Sequence, residues 1–588
     1  MTKLISLCTF FAVLASAQTA PLETRPQRGF LPSAVYSLSE LDSVNTVNGN
    51  LSLRIPLASL PPGRAGHSFD VELLYHSQIY DISIGRRMSP SNNEVLTQEL
   101  TNGKTGGWHY NFANIGVDFE IRQTLSGGWS CTTAGLPAMR LYRLRIGLAD
   151  GSQHILHLRG YGDELGDGYN GDGYYAIGPD GRRTICATFS SHYPADVTGR
   201  LTYYTSDGTF MKLEIDADGS SPWWQKQWTL YFPDGRRITG YSDRADAIFD
   251  ANGNRIDIQQ LCRDPECNSP YTQISDSFGR AVTIDYNASD PNNSSQDVVT
   301  AAGFSGNATW TIQWTSILIG GSSVIGGDDR TYECGPESTH CPLAVGHRVV
   351  SRIDVPSTPP LFYQFDYSTN TDVGYGELDY MKTPYGAEIT YRYFQENLFK
   401  TLATLLKNPV KSKTVTHDGQ TDPAWQYQFN QGQSTITNPD GGVVTTYFYD
   451  PDILSDWRRG LVYKVVQPEG DVLERVWEQN KTWGLRSTSL ADPNNPFVKK
   501  ELSSVASNGV PVKTAIIEFD QDKNGNLQER REYDWVPYGT TSGSVVRRRT
   551  TQTYYVTLPA SSTLSDDASA YWRPHNASLW PDPLSGRR

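Results

Sequence analysis

This sequence is poor in the features that make a chain helical, membrane-spanning or nucleic-acid-binding. No stretch holds the roughly 20 consecutive apolar residues of a helical span, so no membrane span is expected in the mature chain. Helical spacing of apolar residues is scarce and heptads are absent, which excludes a helical bundle. One segment, Glu396 to Leu406, fits either a helix or a strand following Tyr393. Charged residues are 20% of the chain and the net charge is −13. Phosphate recognition draws on clustered Lys and Arg, so no nucleic-acid partner is expected. The short run Arg547-Arg-Arg549 reads as exposed strand-end charge.

Catalytic signatures are missing as well. There is no Gly-x-Ser-x-Gly elbow, Gly303-Phe-Ser305-Gly306 being a near miss. No nucleotide-type glycine loop and no helical His-Glu-x-x-His occur. A glycosidase needs two carboxylates across a cleft, and nothing singles out a pair among 64 acidic residues. The chain is read as non-enzymatic, with a secreted carbohydrate-binding adhesin or carbohydrate-active enzyme as the alternative.

Cysteines number only seven. Cys8 lies in a stretch with the form of a secretory signal, residues 1–17: Lys3, an apolar core from Leu4 to Leu14, then Ala15-Ser16-Ala17. An exported, extracellular or cell-surface protein is expected. An even six remain, which suits disulfides in that compartment. Close spacing points to Cys262–Cys267 and Cys334–Cys341, leaving Cys131–Cys186. Zinc held by Cys334, His340, Cys341 and His347 is the alternative, but the spacing matches no common finger.

What is abundant favours strands. The chain has 33 Tyr and 14 Trp, with 52 Gly and 34 Pro to supply turns. Its 588 residues exceed one ordinary core and suit several domains or one extended repeat body. The plainest unit is Asp276-Ser-Phe-Gly279-Arg-Ala-Val-Thr-Ile-Asp-Tyr286. Gly279 reverses the chain, and Val282, Ile284 and Tyr286 then share one face of a half-buried strand. Three, five and seven residues past a glycine recur elsewhere as one face. After Gly208 these are Met211, Leu213 and Ile215; after Gly386, Ile389, Tyr391 and Tyr393. After Gly442 they are Thr445, Tyr447 and Tyr449; after Gly470, Leu473, Arg475 and Trp477. The strand after Gly235 is expected to fail early, because Gly240 and Ser242 stand where apolar residues are due. Asn48-Gly49 marks a hairpin before Leu51, Leu53 and Ile55, and Phe69 to Ser77 alternates again.

The N-terminal segments Val47-Asn-Gly-Asn-Leu-Ser-Leu-Arg-Ile-Pro56, Phe69-Asp-Val-Glu-Leu-Leu-Tyr75 and Gly107-Trp-His-Tyr-Asn-Phe112, with the glycine-to-ring spacing and Tyr449-Asp450 and Tyr533-Asp534, resemble the Rhs/YD-repeat family. The Pro-Asp-Gly turns at 179–181 and 233–235 fit the same pattern. The resemblance implies an all-β fold in which degenerate hairpins build a large curved sheet or partial shell. It implies a signal peptide (1–17), an extended leader (18–43), an N-terminal β region (44–150), a repeat region (151–560) and a polar tail (561–588). It further implies a shell around a toxic or adhesive payload. The family's patterned core and toxin domain are not recognisable here. The partner implied is therefore a separately encoded toxin or Rhs core, or a cell-surface glycan.

Two candidate sites stand out. Asp163, Asp167 and Asp172 lie in a Gly-rich loop whose carboxylates suit Ca²⁺, against the plainer reading of a solvated connection. Trp223 and Trp224, near Trp228, follow Ser-Ser-Pro and offer flat faces for sugar rings. Tyr447-Phe448-Tyr449 offers similar faces, although alternate aromatics more often line a sheet interior. Asp520-Gln-Asp522-Lys-Asn524-Gly525 opens like an EF-hand loop but ends on Arg531, so a hairpin turn is expected. His154 and His157 fall on opposite faces of a strand and are read as packing or surface residues, not a metal pair.

Overall fold

The computed structural model describes residues 36–38, 41–85, 95–100, 107–123, 137–158, 176–177, 183–184, 198–205, 207–218, 226–267, 269–286, 296–304, 306–319, 324–326, 331–332, 345–368, 376–394, 409–450, 456–480, 495–521, 525–543 and 545–552. The fold is all-β, built of large antiparallel sheets. Strands from Asn114–Gln123 to Val546–Thr551 pair with their neighbours in chain order as one long meander. Its first eight strands are Asn114–Gln123, Pro137–Gly147, Gln153–Leu158, Thr198–Thr205, Lys212–Asp218, Gln227–Tyr231, Arg237–Tyr241 and Arg244–Phe249. The eighth then meets the first tip to tip. Arg244 stands opposite Asn114, Ile115 N–H donates to Asp243 O at 3.1 Å, and Ala245 N–H donates to Ala113 O at 3.1 Å. The two strands meet through that single pair, while Ala247 to Phe249 go on to pair with Arg255–Cys262. The sheet therefore continues past its own beginning. Late strands also return to early ones: Gly208 N–H donates to Asn495 Oδ1 at 3.0 Å, and Gly525 lies under the Phe210 ring.

One turn design makes most of the hairpins on one rim. At Gly151, Gly235, Gly253, Gly279, Gly386, Gly441 and Gly470 the glycine N–H donates to the carbonyl three residues back, at 2.9–3.1 Å. That earlier residue donates in turn to the carbonyl after the glycine, at 2.8–3.1 Å. The glycines sit at φ +77° to +90°, where a side chain is strained. This is a type I turn closed by a left-handed bulge residue. In the meander, successive connections alternate between two rims. Turns 148–152, 232–236, 250–254, 276–280, 383–387, 438–442 and 467–471 all fall on one of them. Connections 124–136, 159–197, 219–226, 287–295, 320–344, 395–408 and 481–494 leave from the other.

The glycine rule of the sequence holds for most of these strands. Met211, Leu213, Ile215, Val282, Ile284, Ile389, Tyr391, Tyr393, Arg475 and Trp477 are buried, and Tyr286 is half-buried. Three expectations need correction. After Gly470, Val472 is buried and Leu473 is only half-buried, before Arg475 and Trp477 return to the expected face. After Gly442 the buried residues are Thr446 and Phe448, not Thr445, Tyr447 and Tyr449. The hinge there is Gly441, at φ +85°, so the phase shifts by one. The strand after Gly235 does not fail either. It runs through Arg237–Tyr241, and Gly240 makes room for the buried Trp228 indole, since a Cβ there would come within 2.1 Å of the ring.

A second sheet covers part of the concave face. Its five strands run in the order Tyr36–Leu38, Asp42–Asn45, Leu51–Leu60, Phe69–His76 and Trp108–Tyr110. Leu51, Leu53, Ile55, Val71, Leu73, Tyr75 and Trp108 share one apolar core with wall residues from Ile146 to Ile436. The expected disulfide Cys262–Cys267 is present, with Cα atoms 5.0 Å apart. Cys131, Cys186, Cys334, Cys341 and His340, residues 1–17 and the segment 396–406 lie outside the described residues.

Candidate functional site

The most concentrated polar chemistry in the wall lies where the turns 148–152 and 207–210 meet. His154 stands three residues past Gly151, the position that holds an apolar side chain in the sister strands. It therefore points inward, and it is 3% exposed. A buried imidazole needs partners for both nitrogens. Nδ1 lies 2.6 Å from Asp207 Oδ2, and Nε2 lies 2.9 Å from Ser152 Oγ. Asp207 also accepts from the Thr209 N–H at 3.0 Å and from the Thr209 hydroxyl. Burial pushes the Asp207 carboxyl up. The charge of His154 and the hydrogen bonds from His154 and Thr209 outweigh that and hold it below the ordinary carboxylate range.

Serine, histidine and aspartate in this order have the connectivity of a nucleophile relay. Proton counting gives a different reading. Ser152 Oγ lies 2.5 Å from Asp150 Oδ1, so the hydroxyl proton belongs between those two oxygens. Ser152 Oγ is therefore engaged by Asp150, and His154 bridges that hydroxyl through Nε2 and Asp207 through Nδ1. Ser152 and Asp207 are each 1% exposed, so the hydroxyl is sealed from an approaching carbonyl. The cluster clamps two tight turns together. The second of these turns carries the Gly208 and Phe210 contacts to the late strands.

The other concentration of polar contacts ties the five-stranded sheet to the wall. Buried Asp42 accepts from Lys413 Nζ at 2.7 Å and from the Tyr391 hydroxyl. Leu378 N–H donates to Tyr75 Oη at 2.8 Å, and Trp108 Nε1–H donates to Tyr367 Oη at 2.6 Å. Ser434 Oγ donates to Thr46 O at 2.5 Å, and Val410 N–H donates to Gly49 O at 3.0 Å. Asp297 accepts from Tyr110 Oη and Trp314 Nε1, each at 3.0 Å, with Arg348 at 3.5 Å. Burial raises the Asp297 carboxyl, and Arg348 and the two donors only partly offset it. Burial likewise pushes the phenols of Tyr75, Tyr110, Tyr367, Tyr391 and Tyr393 well above their ordinary value, and Tyr286 up to about 12. These neutral phenols serve as hydrogen-bond donors and acceptors and as packing surface.

Asp163, Asp167, Asp172, Trp223 and Trp224 lie outside the described residues. Trp228 is not available for stacking: it is 1% exposed and donates to Ser242 O at 2.9 Å. Tyr447 and Tyr449 are half-buried and pack against Tyr463, while Phe448 is buried. Asp520 is held by Lys499 and Arg531, and Gly525 turns a hairpin between Val510–Gln521 and Leu527–Tyr533, as expected. Gly303 and Gly306 pair across a hairpin tip rather than forming an elbow. Among the described residues, no group of three or more His, Cys, Asp or Glu is placed to hold a metal ion. Sequence reasoning missed Asp207, Ser152, Asp42 and Lys413 as partners. Counting three residues from Gly151 was the available signal for His154. Compared with models of known protein families and with curated proteins, this chain finds no match.

Proposed function

We propose that this chain is a secreted, non-enzymatic shell or surface-interaction protein of the Rhs/YD-repeat kind. The observation that carries this reading is the sheet that passes its own start and whose late strands return to its early ones, through Arg244–Asn114 and Gly208–Asn495. Such a wall encloses volume by strand pairing alone. Its own N-terminal sheet occupies the concave face along strands from Arg255–Cys262 to Val462–Val466. Further along, Val510 and Val512 stay exposed at the bulged start of Val510–Gln521, where Val510 stands opposite Ser507 and out of phase with the buried Thr514 and Ile516. A separately encoded payload is the partner that this reading expects. The test is co-expression of the mature chain with the products of its neighbouring genes. A co-purifying, protease-protected product supports the reading. If no neighbour product is retained, the payload reading fails.

A carbohydrate-binding role is the second reading. It is favoured by ring side chains left in solvent on the tight rim, at Phe278, Phe304 and Tyr385.

A further inference from the structure

Among the described residues, three rings are the most exposed of the large aromatics apart from Tyr241: Phe278 at 55%, Phe304 at 111% and Tyr385 at 90%. They are not scattered. Each sits at a hairpin tip: turn 276–280, the tip between Gly303 and Gly306, and turn 383–387. The strand pairing is unbroken from Ala281–Tyr286 through Gln296–Gly303, Gly306–Ile319, Val345–Val355, Leu361–Tyr367 and Leu378–Lys382 to Glu388–Tyr393. All three tips therefore lie on the tight rim. Between the second and the third, the tip joining Val345–Val355 to Leu361–Tyr367 presents exposed Pro359 and Pro360. Successive tips are two strands apart, or about 9.6 Å at the usual strand spacing. From first to last is six strand spacings, roughly 29 Å.

Turn chemistry does not require rings there. Phe278 and Tyr385 hold the position just before the turn glycine. The five sister turns place Asp150, Asp234, Asn252, Asp440 and Glu469 at that position. Asp and Asn suit it because their side chains accept from nearby backbone N–H groups. The tips on either side of the row, at Asn252 and at Asp418-Gly419, are polar. The apolar tips thus form one bounded row, separated by polar tips from the exposed Trp535 and Tyr538 further along the same rim. Arg280 and Arg64 flank the Phe278 ring at 5.4 and 5.9 Å, adding donors beside an apolar face.

We propose that this row binds a linear β-1,4-linked glycan. In such chains alternate pyranose rings present the same face, and that two-ring repeat matches the two-strand repeat of the tips. Each aromatic offers a flat apolar surface to the C–H face of a ring, and the row spans about six sugars. The inference rests on the surface-interaction reading and names a site for it distinct from Trp223 and Trp224.

The test uses the mature chain with cellohexaose and chitohexaose, read by isothermal titration, with cellobiose, chitobiose and maltohexaose as controls. The expected result is binding of at least one β-1,4 hexamer, at least tenfold weaker binding of its dimer, and none of the curved α-1,4 hexamer. Phe278→Asp with Tyr385→Asp should weaken the hexamer roughly tenfold for each ring removed. These are residues the sister turns already carry, so circular dichroism and melting temperature should not move. Phe304→Ser, on its separate two-residue tip, gives an independent variant. Absence of binding to both hexamers, or binding unchanged in the double and single variants, overturns the proposal. If Trp223→Ala with Trp224→Ala abolishes binding while the rim variants do not, a glycan partner stands and this site for it falls.

Discussion

At the residue scale, the inward position three past a turn glycine is usually apolar, and His154 occupies one such position with a hydrogen-bonded ring that faces the Asp207 carboxylate. A buried pair is weak evidence of net stability, but removing one partner strands the other. Asp207→Asn should therefore lower the unfolding free energy by about 3–5 kcal/mol, read from a urea titration. Its pH dependence has a definite sign. The folded-state pKa of Asp207 lies below its unfolded value, so its contribution is present above the unfolded value. That contribution is lost as pH falls through the lowered folded value, and Asp207→Asn should flatten the acid limb of the stability profile. Asp297 has the opposite sign. Its carboxyl is raised, so its contribution is fullest below the ordinary carboxylate range and is lost as pH rises toward the raised value. Asp297→Asn should remove that decline from the stability profile. Gly240 tests packing rather than charge: Gly240→Ala puts a methyl against Trp228 and should cost about 1–3 kcal/mol. The slot under Trp228 was illegible in sequence, because the residue that fills it stands in the preceding strand.

At the scale of the element, the hairpin is the unit that the sequence states most plainly. Glycine-hinged alternation located the strands after Gly208, Gly279, Gly386 and Gly470 and most of the face they bury. It slipped at Gly441-Gly442, where two adjacent glycines leave the hinge ambiguous until φ distinguishes them. The turn itself gives a clean contrast. Gly279→Ala forces a Cβ into the left-handed region and should cost about 1–2 kcal/mol by urea titration, although nothing lies within 4 Å of that Cβ. Phe278→Asp, one residue earlier, should stay within about 0.5 kcal/mol of the parent. Were both changes equally damaging, the Phe278 ring would be part of the core rather than an exposed tip.

At the scale of the whole molecule, the five-stranded sheet and the wall share one core. Alternation in Leu51, Leu53, Ile55 and Phe69 to Tyr75 showed that these strands have a buried face, but not what covers it. That knowledge requires contacts such as Asp42–Lys413, across 371 residues of sequence, which no local pattern encodes. Removing residues 36–110 should expose the inner rings of Tyr391, Tyr393 and Phe365. The truncated chain should bind 8-anilinonaphthalene sulfonate strongly and lose its near-ultraviolet dichroism. An unchanged near-ultraviolet spectrum and no dye binding would mean that the wall packs without its inner layer.

The two rims of this wall differ in a way that bears on how such a molecule can diversify. Closing a longer excursion between two fixed strand ends costs little, only about 0.6 kcal/mol for each doubling of its length. Foreign segments, even whole modules, are therefore accommodated where the extended connections emerge. On the opposite margin each five-residue reversal is tied twice to itself, and an added residue there would shift the register of both flanking strands. Novelty should accumulate at one mouth of the body, and the stitched hem at the other should keep its length.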